Sequence, residues 1–199
     1  MTKRFFGWTG AAVLGWLLVA SPAWAGEADD LERFPAEWFW GKPEQRAHQD
    51  ALIGKKMPAL DVSHWINGPL SNDDVEGKIV VIDLWATWCG PCLRALPHTD
   101  EMAREYADDG VVVMAICGSQ GQEKMPKIAK EKGLSLPMAR DVSGQVVKAL
   151  RLKWWPTFVI ADRDSRIRAV GLKPNYVDDA IERLLEEQPH HEAKRASAE

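Results

Sequence analysis

Seven residues, Ile79-Val80-Val81-Ile82-Asp83-Leu84-Trp85, form an apolar run broken by one acid. A strand with one wet face alternates apolar and polar side chains, whereas an unbroken apolar run is the pattern of a strand covered on both faces. Such a strand belongs at the centre of a sheet with helices on either side, which sets an α/β class before any other residue is read. The acid is the exception. A carboxylate inside a doubly covered strand is desolvated and its pKa rises, and a central strand has little room for a spare charge. Asp83 is therefore a candidate proton carrier. The competing reading is a partly exposed acid on a sheet edge.

The run leads into Trp85-Ala86-Thr87-Trp88-Cys89-Gly90-Pro91-Cys92, and beyond Cys92 the apolar period changes to that of a helix, with Leu93, Leu96, Met102, Ala103 and Tyr106 in phase and Pro97 as a kink early in it. Two cysteines so spaced bind a metal, tie a small loop or carry electrons. Cys89, Cys92 and Cys117 are the only cysteines, too few for a disulfide-held mini-protein and one short of a four-thiolate zinc site. At a helix N-terminus, free backbone N–H groups and the helix dipole favour a thiolate. Cys89, where the chain leaves the strand, is expected to be the exposed attacking thiolate. Cys92, one turn into the helix, is expected to be the buried resolving thiol.

Further strands are predicted over Val111–Ile116, Thr157–Ala161 and Ile167–Val170, with an edge strand over Leu60–Trp65 and a turn at Asn67-Gly68-Pro69. Helices are predicted over Glu44–Leu52, over Glu123–Lys132 with Gly133 as its stop, over Val142–Leu150 and over Tyr176–Glu187, the last with Val177, Ile181, Leu184 and Leu185 on one face. After the edge strand the order is strand–helix–strand–helix–helix–strand–strand–helix, a β-α-β start and a β-β-α finish. That order makes a mixed sheet with helices on both faces. Cys117 ends the second main strand on the same rim as Cys89. A third redox thiol and an inert buried thiol are both open there. His98 follows Pro97 and reads as a solvated helix residue, and His64, His190 and His191 have no ligand spacing.

The start of the chain reads as export machinery. Lys3 and Arg4 precede an uncharged apolar stretch from Phe5 to Ala20, Ser21-Pro22 breaks it, and Ala23-Trp24-Ala25 fits a small-x-small cleavage site. The stretch is shorter than the roughly 20 residues of a membrane-spanning helix, so a cleaved signal peptide over residues 1–25 is the first reading and an uncleaved anchor the second. Either places the rest of the chain outside the cytoplasm. Without Lys3 and Arg4 the chain keeps 23 basic residues against 29 acidic ones, a net charge of −6, which argues against nucleic acid or anionic lipid as a partner. Residues 26–51 form an N-terminal extension with an aromatic knot, Phe34-Pro35-Ala36-Glu37-Trp38-Phe39-Trp40, dense enough to pack on the domain that follows. From Pro189 the chain is polar and reads as a disordered tail.

A buried strand leading into Trp88-Cys89-Gly90-Pro91-Cys92, a helix, and then Pro156-Thr157 just ahead of a later strand resemble thioredoxin. Ile53-Gly54-Lys55-Lys56-Met57-Pro58, Trp65-Ile66-Asn67-Gly68, Gly77-Lys78-Ile79-Val80-Val81 and Trp155-Pro156-Thr157-Phe158-Val159-Ile160 narrow this to the exported TlpA/ResA-type branch, over residues 52–188. The resemblance implies a thioredoxin-like fold and thiol–disulfide exchange by the redox-active pair Cys89–Cys92, with no other cofactor and no metal. It implies a cis Pro156 facing the pair, with the backbone of Trp155 pairing with client peptide and Trp88, Gly90 and Pro91 on the substrate side. Many relatives in the exported branch carry an amide at the position of Asp83, whereas thioredoxin carries an acid. Trp155 stands where a smaller residue is more usual. Its bulk either meets a client or packs with Trp154.

The leading expectation is an exported, periplasmic protein thiol–disulfide oxidoreductase, working as a reductase on protein clients and drawing on a membrane electron donor. Gly90-Pro91, the dipeptide of reducing thioredoxins, and Asp83 favour that direction. The rivals are a disulfide-forming oxidant and a Cu(I) metallochaperone of the same fold. The thiol peroxidase pattern Pro-x-x-x-Thr-x-x-Cys is absent, since Thr87 stands two residues before Cys89.

Overall fold

The computed structural model describes residues 33–187. Residues 1–25, expected to be a signal segment, the start of the 26–51 extension, and the tail from Pro189 with His190 and His191 lie outside these residues.

The apolar run becomes a strand over its whole length, Ile79–Trp85, and every residue in it but Val80 is buried. In chain order the strands are β1 (Ser63–Ile66), β2 (Ile79–Trp85), β3 (Val111–Cys117), β4 (Met138–Arg140), β5 (Thr157–Ala161) and β6 (Ile167–Leu172). They form one six-stranded sheet in the order β1-β4-β3-β2-β5-β6. β2 runs parallel to β3, in register from Ile79 opposite Val111 to Trp85 opposite Cys117. It runs antiparallel to β5, with Leu84 opposite Thr157. The sheet is therefore mixed, and β2 lies inside it.

β4 is absent from the sequence prediction. Met138-Ala139-Arg140 is too short to show a period, and its pairing with β3 on one side and β1 on the other is what makes it a strand. The edge strand is also shorter than Leu60–Trp65 and begins at Ser63, because only Ser63 and Ile66 find partners on β4.

The helices are α1 (Pro43–Asp50), α2 (Asn72–Val75), α3 (Gly90–Glu105), α4 (Met125–Lys132), α5 (Gln145–Ala149) and α6 (Val177–Glu186). α3 carries Pro97 within it, and α4 closes on Gly133 in the left-handed conformation. Two cores lie on the two faces of the sheet. Ile79, Val81 and Trp85 of β2 pack with Cys92, Leu96 and Met102 of α3 and with Val177, Ile181 and Leu184 of α6. Ile82 and Leu84 face the other way, onto Met114, Ile116, Val146, Leu150 and Val159. A fully buried leucine such as Leu96 contributes about 2–3 kcal/mol of burial.

The aromatic knot packs onto the domain. Phe34 and Phe39 are buried in the first core, and Trp38 is stacked between Phe34 at 5.6 Å and Tyr176 at 5.5 Å. Phe39 bridges to Leu172, which adds the extension to the outer edge of β6. Among the described residues no helix is long and apolar enough to cross a membrane.

Candidate active site

After β2 the chain turns through Ala86–Trp88 and enters α3. Cys89 is the N-cap of that helix, in extended conformation, and its Sγ accepts the backbone N–H of Cys92 at 3.2 Å. Gly90 and Pro91 fill the first two helical positions, where a proline loses nothing because its missing N–H would have no helical partner. The Cys92 N–H and the helix dipole both favour negative charge on the Cys89 sulfur. Cys89 and Cys92 are joined in a disulfide, with an S–S distance of 2.08 Å.

One expectation needs correcting. Cys89 is not exposed in this state: it is 3% accessible and Cys92 is 0%. In the disulfide the Cys89 sulfur is bonded to Cys92 and accepts the Cys92 N–H, which leaves little of the residue to solvent. The predicted order of accessibility survives only as a small difference.

Asp83 is fully buried in an interior strand, so the edge reading is overturned. Its Oδ2 accepts a hydrogen bond from Thr99 Oγ1 at 2.8 Å, and its Oδ1 has no partner among the described residues. Burial outweighs the single hydroxyl donor and pushes the carboxyl up to about 7. Cys92, Leu96 and Thr99 stand at i, i+4 and i+7 and are all buried, so they share the inner face of α3. Thr99 thus fixes Asp83 on the sheet face that Cys92 also meets. Trp85, two residues along the same face, has an indole Nε1 that is likewise buried without a partner.

The next residue on α3 behaves oppositely. Asp100 is buried, and it accepts the backbone N–H groups of Ser135 at 2.6 Å and Leu136 at 2.7 Å, the Ser135 hydroxyl at 3.1 Å and the guanidinium of Arg104. Burial alone would raise its pKa, but the backbone and side-chain donors win and hold it below the usual carboxylate range. Asp100 ties α3 to the segment that leads into β4. Neither Thr99 nor Asp100 was singled out from sequence. The spacing of seven from Cys92 to Thr99 was the available signal.

The segment before β5 completes the rim. The Trp155–Pro156 peptide is cis, and the pairing of Leu84 with Thr157 sets it beside the end of β2. Trp155 is half-buried and meets Trp88 edge to face, with ring centroids 6.3 Å apart. It lies over Gly118, where an added Cβ would come within 2.6 Å of its ring, so only glycine fits under it. Trp154 turns elsewhere, against Gly41. Trp88 is 56% exposed and its indole N–H reaches Ser119 Oγ at 3.4 Å, while Thr87 Oγ1 donates to Gly121 O at 3.1 Å. The loops after β2 and β3 and the segment before β5 therefore meet at one edge of the sheet, around the cysteine pair.

Cys117 sits on the same rim, in register with Trp85, but it is buried, and burial pushes its thiol up to about 12. Burial and a raised thiol pKa favour the inert reading of the two. His98 is exposed and joins α3 to α6 through Asp178 Oδ2 at 2.7 Å. His64 is exposed on β1, beside the Ser63 hydroxyl.

Residues 53–170, more than half of the chain, match the AhpC/TSA family. The chain belongs to that family. This AhpC/TSA-family protein is 28% identical over 115 residues to the thiol-disulfide oxidoreductase ResA of Bacillus thuringiensis subsp. konkukian, a match covering 58% of this chain and 66% of that protein. It is 30% identical over 113 residues to the ResA of Geobacillus kaustophilus, covering 57% and 64%. These matches take in just under two thirds of the relatives' own length. Among solved structures, a thiol-disulfide isomerase from Corynebacterium glutamicum superposes with a TM-score of 0.59 at 27% identity, covering 68% of this chain and 98% of that one. A thioredoxin-like protein solved in its oxidised form superposes with a TM-score of 0.60 at 23% identity, covering 68% and 97%. The fold is thioredoxin-like, a mixed sheet flanked by helices, as the sequence resemblance implies.

Proposed function

We propose that this protein is an exported thiol–disulfide oxidoreductase and that the Cys89–Cys92 pair is its redox centre. The observation that carries the reading is the place of Cys89. Its sulfur is the N-cap acceptor of α3, bonded to the N–H of Cys92, on the rim where Trp88, Trp155 and the cis Pro156 meet. The relatives named thiol-disulfide oxidoreductase support the same activity.

In the reducing direction the Cys89 thiolate attacks one sulfur of a client disulfide. The client S–S bond breaks, a Cys89–client disulfide forms and one client sulfur leaves as thiolate. Cys92 then gives its proton to Asp83 and attacks the Cys89 sulfur. The second client sulfur leaves, the Cys89–Cys92 disulfide closes, and two electrons have passed from the protein to the client. A carboxyl titrating near pH 7 is matched to that proton transfer. Asp83 is the base of the resolving step. Gly90 and Pro91 shape the first turn of α3. Trp88, Trp155 and Pro156 form the surface on which client backbone docks.

The direction is reduction, supported by Gly90-Pro91 and by the acid at Asp83. An oxidising compartment then requires an electron donor in the membrane. Residues 1–25 serve export, as a cleaved signal or as an anchor.

Insulin reduction with dithiothreitol, comparing wild type with Cys89→Ser, tests the activity. Loss of the nucleophile lowers turnover by more than about a thousandfold, and an active Cys89→Ser protein sinks the reading. Equilibration with glutathione, read by tryptophan fluorescence, tests the direction. A potential near about −250 mV or lower supports a reductase, and one near about −120 mV makes it an oxidant.

A further inference from the structure

The aromatic extension lies ahead of the family match, which begins at residue 53, yet it holds the segment that carries the cis proline. The Trp40 indole N–H donates to the carbonyl of Pro156 at 2.8 Å. The Trp154 ring lies over Gly41, close enough that a Cβ there would sit 2.7 Å from it. Lys153 Nζ donates to Gln45 O at 2.7 Å, and Arg151 donates to His48 O at 2.5 Å. Four of the six residues from Arg151 to Pro156 are thus tied to the stretch from Trp40 to His48.

That stretch is itself anchored. Trp40 N–H donates to Gly171 O and Lys173 N–H to Trp38 O, both at 2.9 Å, so the extension is pinned to the end of β6 by backbone bonds. The stack of Phe34, Trp38 and Tyr176 fixes it a second time.

The chemistry explains why such support is needed. Proline has no N–H, so the cis segment cannot be held by a regular ladder at that residue. Pro156 is buried, and a buried carbonyl must find a donor. A segment that receives client backbone as a strand must hold its groups in place before the client arrives. The indole N–H meets the need from outside the sheet.

We propose that residues 38–48 are a built-in buttress of the cis-proline segment and that Trp40 is a positioning residue of the exchange site, acting through the carbonyl of Pro156. The proposal rests on the exchange reading above. Trp40 touches no reacting sulfur, so its loss acts on client docking and leaves the nucleophile alone.

The test is Trp40→Phe in the full chain, which keeps an aromatic ring and removes the donor. Expected is a fall in kcat/KM for insulin of about fivefold, the order that one net hydrogen bond is worth, carried mainly by KM. Alkylation of reduced Cys89 by iodoacetamide, which needs no docking surface, keeps its rate. Amide hydrogen exchange at Trp155 and Thr157 quickens. Unchanged exchange at those two amides overturns the proposal, and so does an equal loss in alkylation and in insulin reduction. If wild type does not reduce insulin, the exchange reading fails and the amide exchange alone decides the buttress. If Trp40→Phe does not fold, Lys153→Met removes the surface bond to Gln45 O and must show the same pattern at smaller size.

Discussion

Asp83 on β2 and Asp100 on α3 are both buried aspartates, and they meet at neighbouring positions of that helix: Asp83 is held by Thr99, and Asp100 is the next residue. Their carboxyls are nonetheless driven in opposite directions. Asp100 receives two backbone N–H groups, a hydroxyl and a guanidinium, and falls below the usual range. Asp83 receives one hydroxyl and rises to about 7. Burial raises both, more strongly for the fully enclosed Asp83, and only on Asp100 are there enough backbone and charged donors to outweigh it. Asp100 is a tie that stabilises the fold. Asp83 is a carboxyl left under-bonded on the face that Cys92 meets, which costs stability and keeps its proton affinity high, as the proposed proton transfer requires.

Asp83→Asn should have the largest effect. In the oxidised protein the folded pKa lies above the unfolded value of 3.8. Between the two, the native state keeps a proton that the unfolded chain has lost, so stability falls as pH rises from about 4 to about 7 and stays low beyond. Removing the carboxylate should stabilise the protein at pH 8 by on the order of 4 kcal/mol and at pH 3 by nearly nothing. Urea unfolding across that range checks it, and a pH-independent difference breaks the contrast. The same variant should flatten the rise of turnover through pH 7, because the base of the resolving step is gone.

Asp100→Asn should act in the opposite sense and less strongly. A depressed pKa contributes stability that is present above the unfolded value and is lost as pH falls through the folded one. The variant keeps the shape but loses the charge on bonds to Ser135, Leu136 and Arg104. It should cost about 1–3 kcal/mol at pH 7, with the cost shrinking in acid, and insulin turnover per folded molecule should not change. A turnover loss without a stability loss would place Asp100 in the machinery.

Thr99→Val should be the smallest of the three in stability, about 1 kcal/mol, and the most informative about the comparison. It removes the one donor on Asp83, so the Asp83 titration should move to still higher pH. Carbon-detected NMR of the carboxyl, or the inflection of the pH–rate profile, reads the shift. An inflection that stays in place would mean that the hydroxyl does not set the carboxyl's proton affinity.

Much of this was legible in the chain. The run Ile79–Trp85 reads as a doubly covered strand because both faces demand apolar residues, and its bounds match β2. α3 follows from the change of apolar period after Cys92, which sets the cysteine pair at its start. β4 was not legible, since three residues carry no period and its two partners lie far away in sequence. The burial of Cys89 in the disulfide state was not legible, since helix-start logic concerns the thiolate and not the bonded pair.

The sequence by itself determined the α/β class, the interior strand with its single acid, and the thiol placed at a helix N-terminus. These are local patterns of period, polarity and spacing, written in contiguous residues. Only the tertiary structure decided that Thr99 is the lone donor to Asp83 among the described residues, that Trp155 rests on Gly118 and meets Trp88, and that Trp40 reaches Pro156 across 116 residues of chain. Those facts depend on which side chains the packed sheet brings within hydrogen-bond distance, and no local pattern carries that information.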